Sequence, residues 1–344
     1  MRILGIETSC DETSVALLEA SRATLKLHRH VIASQVALHS RYGGVVPEVA
    51  ARKHSETLPR MLAKVIGKKL LKTVDVIAVT AGPGLITSLM VGVQTAKTLS
   101  QLTHIPLVGV NHLEGHIYAT WLNAPDLYRN PEKYFPSLVL IVSGGHTELV
   151  LMTGHGCYTP VGQTLDDAAG EAFDKFAKIL NLGYPGGPII SRIARNGNPA
   201  AIDFPRPLSA AAGYDMSFSG LKTAALYYLE KRKKISKKEI PDIAASFQQA
   251  VIDAVMIKVR RAAKRMQPRS LMVCGGVSAN PLLRTTLSEF GKKMQIPALM
   301  PAFEFTGDNA AMIAVAGYYR RKEASTAAWR ILQADPQLPL RSYA

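Results

Sequence analysis

Ile3-Leu4-Gly5-Ile6-Glu7-Thr8-Ser9-Cys10-Asp11-Glu12-Thr13-Ser14-Val15-Ala16-Leu17-Leu18 decides the fold. Ile3 to Ile6 is a short apolar run, Glu7 to Ser14 a polar turn and Val15 to Leu18 a second apolar run, which reads as strand, loop, strand. The unit recurs after residue 137 as Leu138 to Val142, then Ser143-Gly144-Gly145-His146-Thr147, then Leu149 to Met152. Two such openings predict two related halves. In the first half, Val74 to Thr80 reads as a strand, Leu85 to Leu102 as a helix and Leu107 to Val110 as a strand. In the second, Asp167 to Leu180 and Asp242 to Met266 read as helices, and Ser270 to Cys274 as a short buried strand ending at Gly275-Gly276. Pro125, Pro131 and Pro136 mark Ala124 to Pro136 as a crossover between the halves. Strands alternating with helices imply an α/β architecture with each sheet covered on both faces.

The chain has 344 residues, 47% hydrophobic and 19% charged, which suits one large domain or two coupled ones and not a disordered chain. Cys10, Cys157 and Cys274 form no C-x-x-C pair, which argues against a disulfide framework and for a reducing, cytoplasmic setting. No basic leader precedes the first strand, so secretion is not expected. Val76 to Val93 approaches membrane-spanning length, but Gly82, Pro83 and Gly84 interrupt it, and no membrane partner is expected.

The formal net charge of +15 points to a polyanionic partner or an anionic membrane surface. Cations concentrate in Lys231-Arg232-Lys233-Lys234 with Lys237 and Lys238, in Lys258, Arg260, Arg261, Lys264, Arg265 and Arg269, and in Arg320-Arg321-Lys322. The second group continues the apolar spacing of Ile243, Phe247, Val251, Ala254 and Val255, so it is expected at the exposed end of an amphipathic helix. Without interleaved aromatic residues, these clusters suit phosphate-backbone attraction and not base readout; each taken singly also reads as a solvated helix face.

Chemistry concentrates in a few segments. His112 and His116 stand four apart, so on a helix both imidazoles share one face and can reach one ion, with two unrelated polar residues on a partly exposed turn as the competing reading. Glu114 lies midway between them, about 100° of rotation per residue away from each neighbour, which turns it to the far side and removes the zinc-peptidase reading. Ser143-Gly144-Gly145-His146-Thr147 follows a strand and suits phosphate contact through backbone N–H groups, with a plain hairpin turn as the competing reading. Gly275-Gly276 before Asn280 is a second strand-to-glycine junction, where Asn280 can reach a sugar or base. Tyr184-Pro185-Gly186-Gly187-Pro188 reads as a rigid turn ending a helix. Asp166, Asp167, Glu171 and Asp174 are expected on one helix, as an ion or ribose site or as an acid-rich first turn. Asp308, in Thr306-Gly307-Asp308-Asn309, reads as an N-cap and also as the carboxylate that completes a two-histidine, one-carboxylate site.

Taken in order, Gly5 to Thr13, Tyr42-Gly43-Gly44-Val45-Val46-Pro47-Glu48, Ala81-Gly82-Pro83-Gly84, the histidine pair, Val142 to Thr147, Asp166 to Lys175, Tyr184 to Pro188 and Phe218-Ser219-Gly220-Leu221-Lys222 resemble the TsaD family, bacterial tRNA threonylcarbamoyladenosine transferases. The resemblance runs from the first residues to about Met312. It implies an actin-like, sugar-kinase-like ATPase fold of two related lobes with a central cleft: an N-terminal lobe over 1–133, a C-terminal lobe over 134–312, and a C-terminal helix and tail, 313–344, packing back on the first lobe. The implied reaction moves the threonylcarbamoyl group from threonylcarbamoyl-adenylate to the exocyclic amine of the adenosine beside the anticodon, in tRNAs reading codons that begin with adenine, and releases AMP. By position, the resemblance makes His112, His116 and Asp308 the ligands of one divalent metal per subunit, iron(II) with zinc as the other candidate. Its substrate contacts fall on Ile141, Val142, Ser143, Gly144, Gly145, Asp174, Gly187 and Asn280. Ile141 stands where archaeal and eukaryotic relatives have a tyrosine ligand, which leaves the coordination sphere open, and Ser191 stands where some relatives carry an Asp that touches substrate. Partners implied are tRNA and TsaB-like and TsaE-like proteins. Two other functions share these features: an ATP-dependent small-molecule kinase, which has no need of the histidine pair, and a nucleotide-gated tRNA-binding scaffold, which has no need of turnover.

Overall fold

The computed structural model describes residues 1–67, 71–122, 124–232 and 235–343. The expected strand–turn–strand unit is present in both places and heads two five-stranded sheets. The first contains β1 (Arg2–Glu7), β2 (Glu12–Ala20), β3 (Leu25–Ser34), β4 (Val76–Gly82) and β5 (Leu107–Asn111), ordered β3-β2-β1-β4-β5. The second contains β6 (Ser137–Val142), β7 (Thr147–Gly154), β8 (Cys157–Gln163), β9 (Ser270–Cys274) and β10 (Ala298–Leu299), ordered β8-β7-β6-β9-β10. The two orders are the same. In each sheet the opening strand is central, antiparallel to the strand after it (β1 with β2, β6 with β7) and parallel to a later one (β1 with β4, β6 with β9).

Helices of eight residues or more among the described residues are α1 (Pro47–Val65), α2 (Ile86–Thr103), α3 (His112–Ala119), α4 (Ala169–Ile179), α5 (Gly186–Ala194), α6 (Ser219–Glu230), α7 (Ile240–Met266), α8 (Pro281–Met294) and α9 (Ala310–Tyr319). Contacts divide the chain into two units. One comprises Met1–Lys133, Gly154–Tyr158 and Pro301–Ala344, the other Tyr134–Thr153 and Thr159–Met300.

In the first unit, β1 reads as an unbroken apolar run because both of its faces are covered. Leu4 and Ile6 point into a core with Val15, Leu17, Leu58, Leu62, Val93 and Leu107, from β2, α1, α2 and β5. Each is buried and contributes roughly 1.5–3 kcal/mol relative to exposure. The opposite face meets α9, which is apolar all round and buried from Ala310 to Tyr318. Close approach depends on missing side chains: a Cβ on Gly5 would come within 2.2 Å of the Ala310 carbonyl oxygen, and one on Gly317 within 2.4 Å of the Ala78 Cβ. This packing explains why the first unit takes the chain up again at Pro301, ahead of the Met312 boundary expected from sequence.

The second unit has its own core, in which Leu138, Leu140 and Val142 of β6 meet Phe173 and Phe176 of α4, Ile190 of α5, Leu221 of α6 and Phe247 and Val251 of α7. The Phe176 and Phe247 rings stack with centroids 3.7 Å apart. Among the described residues α7 is the one helix long and apolar enough to cross a membrane, and 67% of its apolar window is buried in this core.

Candidate functional site

In the first unit the site grows from the ends of β1 and β5. Asn111 closes β5 and caps α3, its Oδ1 accepting from Leu113 N at 2.9 Å. The helix therefore begins at His112 and runs in register with His116 one turn on. A Cβ on Gly115 would lie 2.7 Å from Ile313 Cδ1 and 3.2 Å from Met312 Cγ, so the glycine lets α3 settle onto α9. Asp308 immediately precedes that helix. The N-cap is Asn309, whose side chain accepts from Met312 N, and this corrects the N-cap reading of Asp308 and leaves its carboxylate free to turn toward the histidines.

Asp308 Oδ1 lies 3.3 Å from His112 Nε2 and 3.2 Å from His116 Nε2. Donors bound to one ion at bond lengths of about 2.1 Å sit roughly 3–3.4 Å apart, so the observed spacing fits. All three ligand atoms lie within 4.8 Å of one another, and these residues form the possible metal site among the described residues. Both ring nitrogens of His116 are buried and neither makes a well-aligned hydrogen bond, Asp308 Oδ1 being the near neighbour of Nε2, so coordination would engage that nitrogen.

Glu7, at the end of β1, is a supporting residue that sequence reading missed. It is fully buried, accepts from Thr80 Oγ1 at 2.6 Å and lies 3.1 Å from His112 Nδ1, while Ser9 Oγ lies 3.1 Å from the same nitrogen. A carboxylate there holds the proton on Nδ1 and presents Nε2 to Asp308 and the ion. The clue in sequence was a carboxylate closing a fully apolar strand. Burial alone would depress His112, but the Asp308 and Glu7 carboxylates on either side push it well above the ordinary imidazole value. Burial would raise Asp308, yet the His112 and His116 imidazoles hold it well below the usual carboxylate range. Two carboxylates around two imidazoles make a pocket that recruits positive charge. Glu114 lies elsewhere, paired with Arg320 Nη1 at 2.9 Å.

In the second unit Ile141 and Val142 close β6, whose carboxyl end lies beside that of β9, the usual ligand edge of an open α/β sheet. Ile141 and Val142 are fully buried in β6, so the accessible part of this segment begins at the turn after them. Ser143 N donates to the His146 carbonyl at 2.8 Å and Ser143 Oγ accepts from His146 N at 3.1 Å, which leaves Gly144 and Gly145 exposed at the tip with open space where a Cβ would be. Gly170 and Gly275 close in behind: a Cβ on Gly170 would sit 2.5 Å from the Ser143 carbonyl oxygen, and one on Gly275, at φ +90°, 2.3 Å from that of Val142. Asp174 Oδ1 accepts from Gly186 N at 2.7 Å and so ties α4 to the start of α5, where Gly187 is open. Asn280 is the N-cap of α8; its Oδ1 accepts from Leu282 N and Leu283 N and its Nδ2 donates to Gln248, so most of its polar capacity is spent within the fold.

Several sequence readings are corrected. Tyr184 to Pro188 opens α5 and does not end a helix. Asp166 and Asp167 precede α4; Asp166 accepts from Phe218 N, Ser219 N and two serine hydroxyls, and Asp167 pairs with Lys175 and Lys222. These carboxylates hold α6 and α4 together. Lys258 is buried, donating to the carbonyls of Ala211 and Gly213, and Arg261 reaches the carbonyls of Ser209 and Gly213. Both staple a loop, whereas Arg260, Lys264, Arg265 and Arg269 are exposed. Arg320 bonds Glu114 and Glu323. Lys233 and Lys234 lie outside the described residues.

A family profile described as TsaD, tRNA N6-adenosine threonylcarbamoyltransferase, matches residues 26–315. Curated relatives with that name include one from Thermosipho melanesiensis, 50% identical over 92% of this chain and 94% of the relative. Another, from Desulfitobacterium hafniense, is 48% identical over 99% of this chain and 98% of the relative. Among solved structures, the activator of 2-hydroxyisocaproyl-CoA dehydratase from Clostridium difficile, with bound ADPNP, matches at a TM-score of 0.52 and 13% identity, covering 94% of this chain and 97% of that one. That likeness concerns the fold, an actin-like ATPase fold.

Proposed function

We infer the reaction from one premise: the chain belongs to the TsaD family of tRNA N6-adenosine threonylcarbamoyltransferases, and it is a transferase that modifies tRNA. We propose that the donor is threonylcarbamoyl-adenylate and the acceptor the N6 amine of the adenosine beside the anticodon, in tRNAs that read codons beginning with adenine. The amine forms a C–N bond to the carbamoyl carbon, the bond from that carbon to the phosphate oxygen breaks, AMP leaves and the amine loses a proton.

His112, His116 and Asp308 would hold a divalent ion, iron(II) with zinc as the other candidate, and the buried, mutually facing donor set is the observation that carries this reading. Such an ion supplies a Lewis acid that binds and polarises donor oxygens. Glu7 keeps His112 in the tautomer that presents Nε2. In the Ile141 to Gly145 segment, Ile141 and Val142 anchor the turn in β6 and the exposed Gly144 and Gly145 offer backbone to the phosphate. Asp174 positions the turn bearing Gly187, and Asn280 holds the start of α8. An adenylate is already activated, so holding amine and carbonyl together accounts for much of the acceleration without a dedicated base.

The net positive charge supports tRNA as the partner, with exposed Arg260, Lys264, Arg265 and Arg269 as phosphate contacts. TsaB-like and TsaE-like partners and a cytoplasmic setting complete the proposal. The test supplies labelled threonine, ATP, the adenylate-forming enzyme, the partner proteins and unmodified tRNA, with and without this chain. Label in tRNA only when the chain is present is the expected result; none with all components present overturns the assignment.

A further inference from the structure

We propose that the C-terminal tail is a clamp on the ligand-bearing helix, with Arg320 and Tyr343 as positioning residues for His112 and His116; this rests on the metal reading of the triad. An eight-residue helix such as α3 is too short to hold its own register, so something outside it must. Its ligand face is held by Glu7. Its opposite face carries Glu114, fully buried, which needs a counter-charge and hydrogen bonds. Arg320 Nη1 donates to Glu114 Oε2 at 2.9 Å and the Tyr158 hydroxyl to Oε1 at 2.9 Å.

The tail holds both of these donors. The Arg320 guanidinium sits 4.1 Å from the centre of the Tyr343 ring. Tyr343 N donates to the Gly156 carbonyl at 2.9 Å, while Ser342 Oγ accepts from Tyr158 N at 2.8 Å and donates to the Tyr158 carbonyl at 3.0 Å. The tail also grips the start of the helix, where Asn111 Nδ2 donates to the Leu338 carbonyl at 2.9 Å while its Oδ1 caps α3. The apolar tail residues that join the core, Trp329, Leu332 and Ala334, come earlier in the chain. Beyond them, the bonds named above run to the cap, the middle and the supports of α3. Such a clamp fixes the rotation of α3, and a small rotation would carry both Nε2 atoms away from Asp308.

Zn²⁺ titration against a chromophoric chelator tests the clamp on the full chain, Tyr343→Ala, Tyr343→Phe, Arg320→Met and His116→Ala, with melting of the metal-free proteins alongside. Tyr343→Ala and Arg320→Met are expected to bind Zn²⁺ tenfold to a hundredfold more weakly, with Tyr343→Ala melting within a few degrees of wild type. Tyr343→Phe keeps the ring over Arg320 and is expected within twofold of wild type. Wild-type affinity in both Tyr343→Ala and Arg320→Met overturns the clamp while leaving the triad intact. His116→Ala binding as tightly as wild type overturns the triad, and the clamp with it.

Discussion

The two central turns of this molecule sit at equivalent places in sheets of identical strand order and do opposite things with them. After β1 the chain places side chains: Glu7 and Ser9 at His112, with Asp308 brought to the histidines by α9. After β6 it places almost none. Gly144 and Gly145 leave the backbone bare, and Gly170 and Gly275 remove the Cβ atoms that would keep the neighbouring chain away. One frame therefore supports recognition by charged side chains in one unit and by backbone in the other. Substitutions in the first unit should act through lost ligands and charge, those in the second through added bulk.

The largest expected effect is His116→Ala. It removes one of the three donors that cluster here among the described residues, and should abolish metal retention and transfer to tRNA while the circular dichroism stays native. Metal analysis of the purified variant decides it. Full metal content with wild-type transfer would break the comparison at its root.

Acid should separate the units next, because every histidine except His146 lies in the first. Burial lowers His155 from 6.5 to about 4, and lowers His30 and His54 in the same direction. A depressed folded value means that the unfolded chain takes up the proton first. The stability His155 contributes is complete above about pH 6.5 and is lost as pH falls toward 4, about 3 kcal/mol in all. His112 does not mask this, since its raised value places its effect above pH 6.5. Burial pushes the Glu12 carboxyl up to about 9 and raises Glu114 and Glu148, which work the other way over this range, so the His155 contribution is read as the difference between wild type and His155→Phe in urea unfolding from pH 7 to 4.

Much of this frame was legible in the sequence, and the exceptions share a cause. Period and turn chemistry exposed the two strand–turn–strand openings, since a central strand must be apolar on both faces. The edge strands β3 and β8 escaped notice because Leu25–Ser34 and Cys157–Gln163 are half-exposed and mixed in polarity. Lys258, Arg261 and Arg320 were read as surface charge, yet they bond carbonyls or Glu114. A cation's address depends on what packs above its helix, which no local pattern encodes. The same holds for Asp308: Asp and Asn both cap helices, and only the docking of α9 on β1 shows that Asn309 caps and Asp308 is left for the histidines.

Glu7→Gln sharpens the comparison within the first unit. The amide keeps the shape but not the charge that favours a proton on His112 Nδ1, so metal affinity should fall tenfold to a hundredfold with the ligands untouched. An unchanged affinity would mean that the triad needs no electrostatic support from β1.

The smallest effects belong to the second unit, and there the glycines themselves are the test. Gly275→Ala adds a Cβ 2.3 Å from the Val142 carbonyl oxygen at a positive φ, so it should cost about 1–3 kcal/mol of stability through backbone strain. Gly144→Ala adds the same atom to open space, and should change stability by less than about 0.5 kcal/mol. If the turn works by letting a phosphate approach bare backbone, that second methyl still matters: AMP affinity should drop several-fold in a protein whose unfolding curve is unchanged. AMP bound as tightly by Gly144→Ala as by wild type would return the turn to a plain hairpin, and recognition in the second unit would have to rest on side chains after all.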